Sequence, residues 1–177
     1  GNDSNPEVYT KAAPVRRLSN GEPLTGMTHL ALMDGASCAI SANANQGMYC
    51  WGSDTLGLLG NGADETLYPL AVEVTSLVGA EALTSHQHHI CALKSEQALC
   101  WGSNFNGQSA LSVIGGVTDI PALVSGVPTL TSVHANYRST CFITAAGALY
   151  CGGRNHRDIF GQGIYYSADY LSVSIDD

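Results

Sequence analysis

The amino-acid sequence predicts an all-β, propeller-like array of about three four-stranded blades, with an extra edge strand and one disulfide in each blade. Three observations predict this fold class. The chain of 177 residues repeats with a period near 50 residues, each repeat contains short strand-like segments separated by turn residues, and each repeat contains two cysteines. Such a period is typical of stacked or radial arrays, and about four strands per repeat is the content of one propeller blade.

The composition agrees with a turn-rich β protein. Charged residues make up 12% of the chain, whereas a helical bundle needs many Lys, Glu and Arg residues on its exposed faces. The net charge of −8 argues against nucleic acid as a partner, because binding to a phosphate backbone usually depends on basic patches. No apolar run reaches the roughly 18 to 20 residues that cross a bilayer, so we expect no membrane insertion.

The repeat is clearest around the second cysteine of each unit. Cys50, Cys100 and Cys151 are 50 and 51 residues apart, and Trp-Gly follows the first two, whereas Gly-Gly follows the third. A polar loop comes next, in which we expect Gly57 to correspond to Gly107 and Gly161. The predicted organisation is an N-terminal extension (1–12), three blades (13–68, 69–120 and 121–168), and a partial fourth repeat or edge-completing strand (169–177).

The cysteines are predicted to form disulfides within hairpins. In each repeat a turn separates the two cysteines, with 11, 8 or 9 residues between them, and such positions can face each other across a hairpin. Of the 15 pairings that six cysteines allow, one works identically in every repeat. The predicted disulfides are Cys38–Cys50, Cys91–Cys100 and Cys141–Cys151.

Other roles for the cysteines are open alternatives at this point. A zinc site would be expected to show closer pairs, such as C-x2-C, and a catalytic thiol would be expected to stand apart from the pairs. Each disulfide would close a loop of about ten residues, which is worth roughly 2.5–3 kcal/mol. Persistent disulfides indicate an oxidising compartment, so we expect a secreted or cell-surface protein, extracellular or periplasmic.

A cysteine strand, Cys-Trp-Gly, a polar loop, Gly-Gln and a proline-led strand together resemble the regulator-of-chromosome-condensation (RCC1) repeat. The sequence is more similar to the bacterial extracellular version, in which each blade carries a Cys-Ala-Leu and a Cys-Trp-Gly strand. The similarity runs from about Pro14 to Val173, and residues 91–108 are its most specific part. It implies a β-propeller that presents loop-built surfaces to partners, although Gly152 stands where the family has Trp.

The number of repeats is lower than the seven blades of that family. Three blades do not close a ring, and unpaired strand edges tend to pair with other chains. We therefore expect a piece of a longer protein, or copies that complete each other as a six-blade dimer or a head-to-tail polymer. Residues 13–19 resemble a proline-led strand, and 169–175 resemble the start of a fourth unit.

Charge is distributed unevenly along the chain. Residues 18–93 contain no Lys or Arg but seven acidic residues, whereas the last repeat is rich in Arg. Either this is an ordinary solvated acidic surface, or the acidic half of one copy meets the Arg-bearing unit of the next. The candidate partner-binding residues are Arg138, Arg154, Asn155, His156 and Arg157, of which the last three are expected to be exposed in the polar loop 152–163.

We predict no catalytic residue, no cofactor and no metal site. The signatures G-x-S-x-G, H-E-x-x-H and G-x-x-x-x-G-K are absent. His86 and His88 would share one face of a strand, but two histidines without a nearby carboxylate make a poor zinc site. Asn2 begins a glycosylation sequon, a triplet that also arises by chance.

The sequence therefore predicts a non-catalytic, extracellular scaffold or appendage subunit that forms homo-oligomers or polymers through its strand edges. The alternative is a recognition module for a protein or glycan, which could be one piece of a larger seven-bladed propeller. Nucleotide exchange or chromatin binding, as in the nuclear member of the family, agrees poorly with paired cysteines and an acidic balance. An enzyme whose site is assembled from distant residues is the remaining hypothesis.

Overall fold

The chain is an all-β protein with three four-stranded antiparallel sheets. A computed structural model describes residues 12–43, 46–63, 67–112, 114–155 and 159–160 and the strand at 166–173. The predicted fold class is confirmed, including one disulfide in each blade.

Each sheet is built from four strands that follow one another in the sequence. The first sheet contains β1 (Met27–Leu32), β2 (Ala36–Ser41), β3 (Met48–Ser53) and β4 (Leu67–Glu73). The second contains β5 (Ala82–His86), β6 (His89–Lys94), β7 (Gln97–Ser103) and β8 (Val117–Leu123). The third contains β9 (Leu130–Asn136), β10 (Ser139–Thr144), β11 (Leu149–Arg154) and β12 (Tyr166–Val173). Single 3-10 turns at Thr55–Gly57 and Thr75–Leu77 flank β4.

Tight turns explain why a local repeat becomes a sheet. Ser95 and Glu96 join β6 to β7 with φ angles of 50° and 62°, and positive φ at both central residues is what the commonest two-residue hairpin turn requires. A connection this short leaves no room for a crossover, so the two strands pair as antiparallel neighbours.

The register of each central hairpin places its two cysteines opposite each other. The disulfides join Cys38 to Cys50, Cys91 to Cys100 and Cys141 to Cys151, with Cα atoms 4.1 Å apart in each pair. The first two disulfides are fully buried, whereas Cys141 in the third is partly exposed. The disulfides are typical of proteins from oxidising compartments.

Two apolar clusters lie between neighbouring sheets. Because side chains alternate along a strand, Ile90 and Ala92 of β6 pack against the first sheet, and Cys91 and Leu93 pack against the third. The second sheet is therefore covered by a sheet on both faces. Among the described residues, the first and third sheets each have another sheet on one face only.

The first strands of the three sheets lie side by side. The Ser85 hydroxyl in β5 donates a hydrogen bond to the Leu32 carbonyl in β1 at 3.0 Å, and the Ala135 N–H in β9 donates to the Thr84 hydroxyl in β5 at 3.0 Å. The sheets therefore fan out from these strands as propeller blades do, with β4, β8 and β12 on the outside.

The sheets are offset from the predicted repeat units. The predicted second unit, 69–120, begins inside β4 and ends inside β8, because each proline-led strand pairs with the cysteine strand that precedes it. In the same way β12 pairs with β11. Residues 169–173 therefore complete the edge of the third sheet.

The segment before β1 supplies the additional edge. Arg17 forms a parallel bridge with Ala71 on the free edge of β4, and the Leu18 N–H donates to the Ala71 carbonyl at 2.8 Å. The segment 13–19 thus covers the outer edge of the first sheet through one bridge. No helix within the described residues is long and apolar enough to cross a membrane.

Candidate protein-binding groove on the third sheet

A loop from each of the first two sheets reaches across to the next sheet, and we call each of these contacts a joint. The first joint, between the first and second sheets, is apolar. The loop after β3 places Leu58 against Trp101 of β7, and the Trp101 indole N–H donates to the Leu58 carbonyl at 3.0 Å. Both side chains are almost completely buried. Trp101 therefore holds the loop of the first sheet through packing and one hydrogen bond.

The second joint has the same arrangement with polar side chains. The loop after β7 places Gln108 against β10, where the Thr140 hydroxyl donates to the Gln108 carbonyl at 2.6 Å. His89 Nε2 lies 2.9 Å from the same hydroxyl, so it donates to the Thr140 oxygen. Burial lowers the pKa of His89 to about 3, and nearby His86 acts in the same direction. His89 is therefore neutral at physiological pH.

The loop after β11 has the same local structure but reaches no further sheet among the described residues. In the three loops, the side-chain oxygen of Asp54, Asn104 or Asn155 accepts a hydrogen bond at 2.9 Å from the N–H five residues later. This shared turn aligns Ile159 with Leu58 and Gln108. Ile159 is 52% exposed, whereas Leu58 is 1% exposed and Gln108 is 3% exposed.

A groove of about 390 Å³ lies beside Ile159, on the side of the third sheet that no other sheet covers within the described residues. Its lining residues are Asn136, Tyr137, Arg138, Ser139, Arg154 and Ile159. The Arg138 guanidinium lies 4.7 Å from the centre of the Tyr137 ring and donates to the Tyr137 hydroxyl at 3.2 Å. The groove therefore combines two cationic side chains with an aromatic ring and an aliphatic side chain.

The strand register shows what this groove corresponds to in the other sheets. Gly102 pairs with His89 and Gly153 pairs with Ser139, so Ser139 takes the place of His89 and Tyr137 that of Gln87. In the second sheet these positions border the joint with the third sheet, since His89 contacts Thr140. The groove on the third sheet therefore occupies the position at which the first and second sheets each contact the sheet that follows them.

The groove contains two of the predicted partner-binding residues. Arg138 and Arg154 line it, whereas Asn155 is completely buried and contradicts the expected exposure. Its side-chain oxygen is used by the Phe160 N–H, so Asn155 shapes the loop. His156 and Arg157 lie outside the described residues.

The groove itself was not predicted. Tyr137 and Ile159 carry no sequence signal, because their role depends on which sheet faces lack a neighbour. The expected correspondence of Gly57 and Gly107 with Gly161 also differs from the alignment of the turns. Gly57 and Gly107 each follow the first residue of the turn by three positions, and the residue three positions after Asn155 is 158.

The predicted histidine strand is interrupted by a turn. β5 ends at His86 and β6 begins at His89, so His88 lies in the turn of a hairpin. The His86 ring contacts the Tyr137 ring edge-on at 5.8 Å across the second joint. Within the part of the chain that the structure describes, no three His, Cys, Asp or Glu residues are grouped so that they could hold a metal ion.

Comparison with solved structures shows the fold of RCC1-type propeller blades. Human WBSCR16 is similar with a TM-score of 0.71 and 15% identity over 83% of this chain and 37% of that chain. Yeast RCC1 (Prp20) bound to Kap60 is similar with a TM-score of 0.73 and 15% identity, over 86% of this chain and 38% of that chain. Prp20p from Saccharomyces cerevisiae, described with its binding properties to Gsp1p and histones, has a TM-score of 0.72 and 15% identity, over 89% of this chain and 41% of that chain.

The chain spans about two fifths of the length of these neighbours. No protein-family model and no curated protein sequence matches it.

Proposed function

We propose that this chain is a non-catalytic, secreted or cell-surface propeller module, similar to the bacterial extracellular RCC1 repeats, that assembles with copies of itself. The observation that carries the proposal is the groove beside Ile159. In the first two sheets the corresponding positions are covered by the next sheet, whereas Ile159 is 52% exposed. A further blade is the ligand that this surface is shaped to receive.

The distribution of charge supports association between copies. The groove contains Arg138 and Arg154, whereas residues 27–80, which form the first sheet and its loops, contain no Lys or Arg. Arg16 and Arg17 lie at the outer edge of that sheet, in the segment that bridges to β4. Complementary charges guide two surfaces into one orientation and exclude others. Contact between the third sheet of one copy and the first sheet of the next is therefore favoured over contact between two third sheets.

The disulfides support an extracellular location. Cys38, Cys50, Cys91 and Cys100 are completely buried between sheets, so these disulfides are part of the packed core. Three disulfides of this loop size are together worth several kcal/mol, which is comparable with the net stability of a whole domain. A module of this kind would be stable outside the cell but not under cytosolic reducing conditions.

A recognition module is the second candidate function, and the composition of the groove favours it. Tyr137 and Arg138 present an aromatic ring and a cation together, residue types that are enriched in protein interfaces. Because the chain spans about two fifths of its structural neighbours, the groove could instead receive a blade from the same longer chain. In that case the partner surface would be built from the remaining blades.

Sedimentation velocity of the purified chain distinguishes these functions. We expect multimers at micromolar concentration without any added ligand, and weaker association at high salt because exposed charges are screened. A monomer at every concentration, in low and in high salt, would contradict self-assembly and favour the recognition module.

A further inference from the structure

We propose that the groove on the third sheet of one copy receives the first sheet of a second copy, with Trp51 of the second copy donating its indole N–H to the Ile159 carbonyl. This inference rests on the proposed self-assembly and assigns the two surfaces that meet. The joint would repeat the contacts that Leu58 and Trp101 make inside the chain.

Within the described residues, the first sheet has a face that no other sheet covers, and the exposed part of this face matches the groove. We define the Trp51 face by Leu30, Leu32 and Trp51, which share one side of the sheet because Leu32 and Trp51 both pair with Ser37. Leu30 is 60% and Leu32 65% exposed. These are large apolar side chains on one surface, which is typical of an interaction site.

The same positions are covered in the other two sheets. Leu30 corresponds by register to Leu83 and Val133. Each of the three pairs with the residue that directly follows the first cysteine of its hairpin, which is Ala39, Ala92 or Phe142. Leu83 packs into the apolar cluster of the first joint, and Val133 is only 5% exposed in the second joint. Burial of Leu30 by a preceding blade would complete the series.

The described part of the N-terminal segment, from residue 12 onwards, leaves Leu30 and Leu32 on this face exposed. The Arg17 guanidinium lies 5.0 Å from the centre of the Tyr49 ring and shields the part of the first sheet near β4. It does not bury Leu30 and Leu32. The inner half of the face is therefore the docking surface, and the N-terminal segment forms its border.

The loop sequences are consistent with an indole at this joint. A Cβ atom added to Gly60 would lie 2.8 Å from Trp101 Nε1, so the loop needs a glycine where it meets a tryptophan. In the second joint, Ala110 occupies the aligned loop position, and Gly152 occupies the strand position of Trp101, since it pairs with Thr140 as Trp101 pairs with Ile90. In the third loop the aligned sequence position is again a glycine, Gly161, which lies outside the described residues. Trp51 supplies the matching tryptophan.

Register also predicts an ion pair across the new joint. The Asp34 N–H donates to the Gln87 carbonyl at 3.1 Å across the first joint, and Asp34, Gln87 and Tyr137 are equivalent turn positions. Asp34 of the second copy would therefore lie beside Tyr137 and Arg138. Asp34 is exposed, and its carboxylate can pair with the Arg138 guanidinium.

Charge reversal of these two residues tests the inference. We expect Asp34→Arg and Arg138→Asp each to weaken self-association of the purified chain at least about tenfold, because like charges then meet in the joint. An equimolar mixture of the two variants would restore association, since every joint between one variant and the other pairs opposite charges. The control is Lys94→Asp, at the other end of β6 from His89, which we expect to leave association unchanged.

A second variant tests the hydrogen bond. Trp51→Phe removes the donor and keeps an aromatic ring, and we expect it to weaken association about fivefold. Since Trp51 is half-buried and Trp101 is buried, association of the wild-type chain should also protect Trp51 fluorescence from acrylamide. Thermal unfolding of each variant under monomeric conditions verifies that it is folded.

The outcomes separate the two proposals. A wild-type multimer that is unaffected by both charge reversals, or whose variants do not rescue each other, overturns the joint while self-assembly stands. A wild-type monomer at all concentrations overturns self-assembly itself. Rescue in the mixture together with loss in each single variant would establish the head-to-tail joint.

Discussion

The two joints inside this chain have the same backbone arrangement and opposite chemistry. In the first, Leu58 and Trp101 form an apolar contact with one hydrogen bond from the indole. In the second, Gln108, Thr140 and His89 form a buried hydrogen-bonded group. In both, a loop carbonyl accepts a hydrogen bond from a side chain of the next sheet.

Three loop and strand positions change together between the joints. Trp101 meets Gly60, whose missing side chain leaves room for the indole. In the second joint, Gly152 takes the strand position of Trp101 and Ala110 takes the loop position of Gly60. Leu59 at the centre of the first loop is replaced by Ser109, whose hydroxyl donates to the Ser103 carbonyl at 2.9 Å. The loss of tryptophan from the third repeat is thus matched by a polar loop.

The comparison teaches that the joint is specified by its backbone acceptor and not by one side chain. A donor from the next sheet can be an indole or a hydroxyl, as long as the space around it is filled. The apolar joint should therefore depend on side-chain volume, and the polar joint on hydrogen bonds and protonation.

The largest expected effect follows removal of the indole from the apolar joint. Trp101→Ala should lower the free energy of unfolding by about 3–5 kcal/mol, because it leaves a cavity and an unpaired Leu58 carbonyl. Chemical denaturation of the monomer measures this change.

Trp51→Ala is the matched control, because Trp51 has the same strand position on a face that no other sheet covers in the part of the chain that the structure describes. We expect its effect to be less than half as large. Equal losses for the two variants would contradict the view that the joint, and not the sheet, creates the need for tryptophan.

The sequence predicted the parts of this arrangement that depend on local chain geometry. The strands and the cysteine pairing could be predicted because the two cysteines of each repeat lie close together in the sequence, within one hairpin. The offset of β4 and β8 could not be read in this way, because these strands pair across a long loop. Likewise, Asn155 was expected to be exposed, and only the turn it forms with Phe160 explains its burial.

A smaller effect is expected from the polar joint. Thr140→Val keeps the shape of the side chain but leaves the Gln108 carbonyl and His89 Nε2 without their shared partner. Burial of unpaired polar groups should lower the free energy of unfolding by about 1–3 kcal/mol. Thr140→Ser keeps the hydroxyl and should retain most of the stability. If Thr140→Val were as stable as the wild type, the hydrogen bonds would not hold this joint.

The smallest expected effect, for a change of one pH unit, is a pH dependence of the unfolding free energy that only the polar joint should show. Burial lowers the pKa of His89 from 6.5 to about 3 in the folded protein, so between these pH values the unfolded chain binds a proton that the folded chain does not. The free energy of unfolding should therefore fall as the pH falls from about 6.5 towards 3, by at most about 1.4 kcal/mol per pH unit from this residue. Above about pH 6.5 this contribution to the slope disappears.

Denaturation of His89→Gln across this pH range isolates the histidine from the carboxylates, which titrate in both proteins. We expect the slope of the unfolding free energy against pH to decrease in this variant by up to the contribution of one bound proton. His88→Gln, in the neighbouring turn and outside this buried hydrogen-bonded group, is the control variant. The first sheet has Ala36 at the position of His89, so the apolar joint contains no equivalent group. A slope that persists in His89→Gln would mean that protonation acts elsewhere, and that the polar joint tolerates a charge that its burial should exclude.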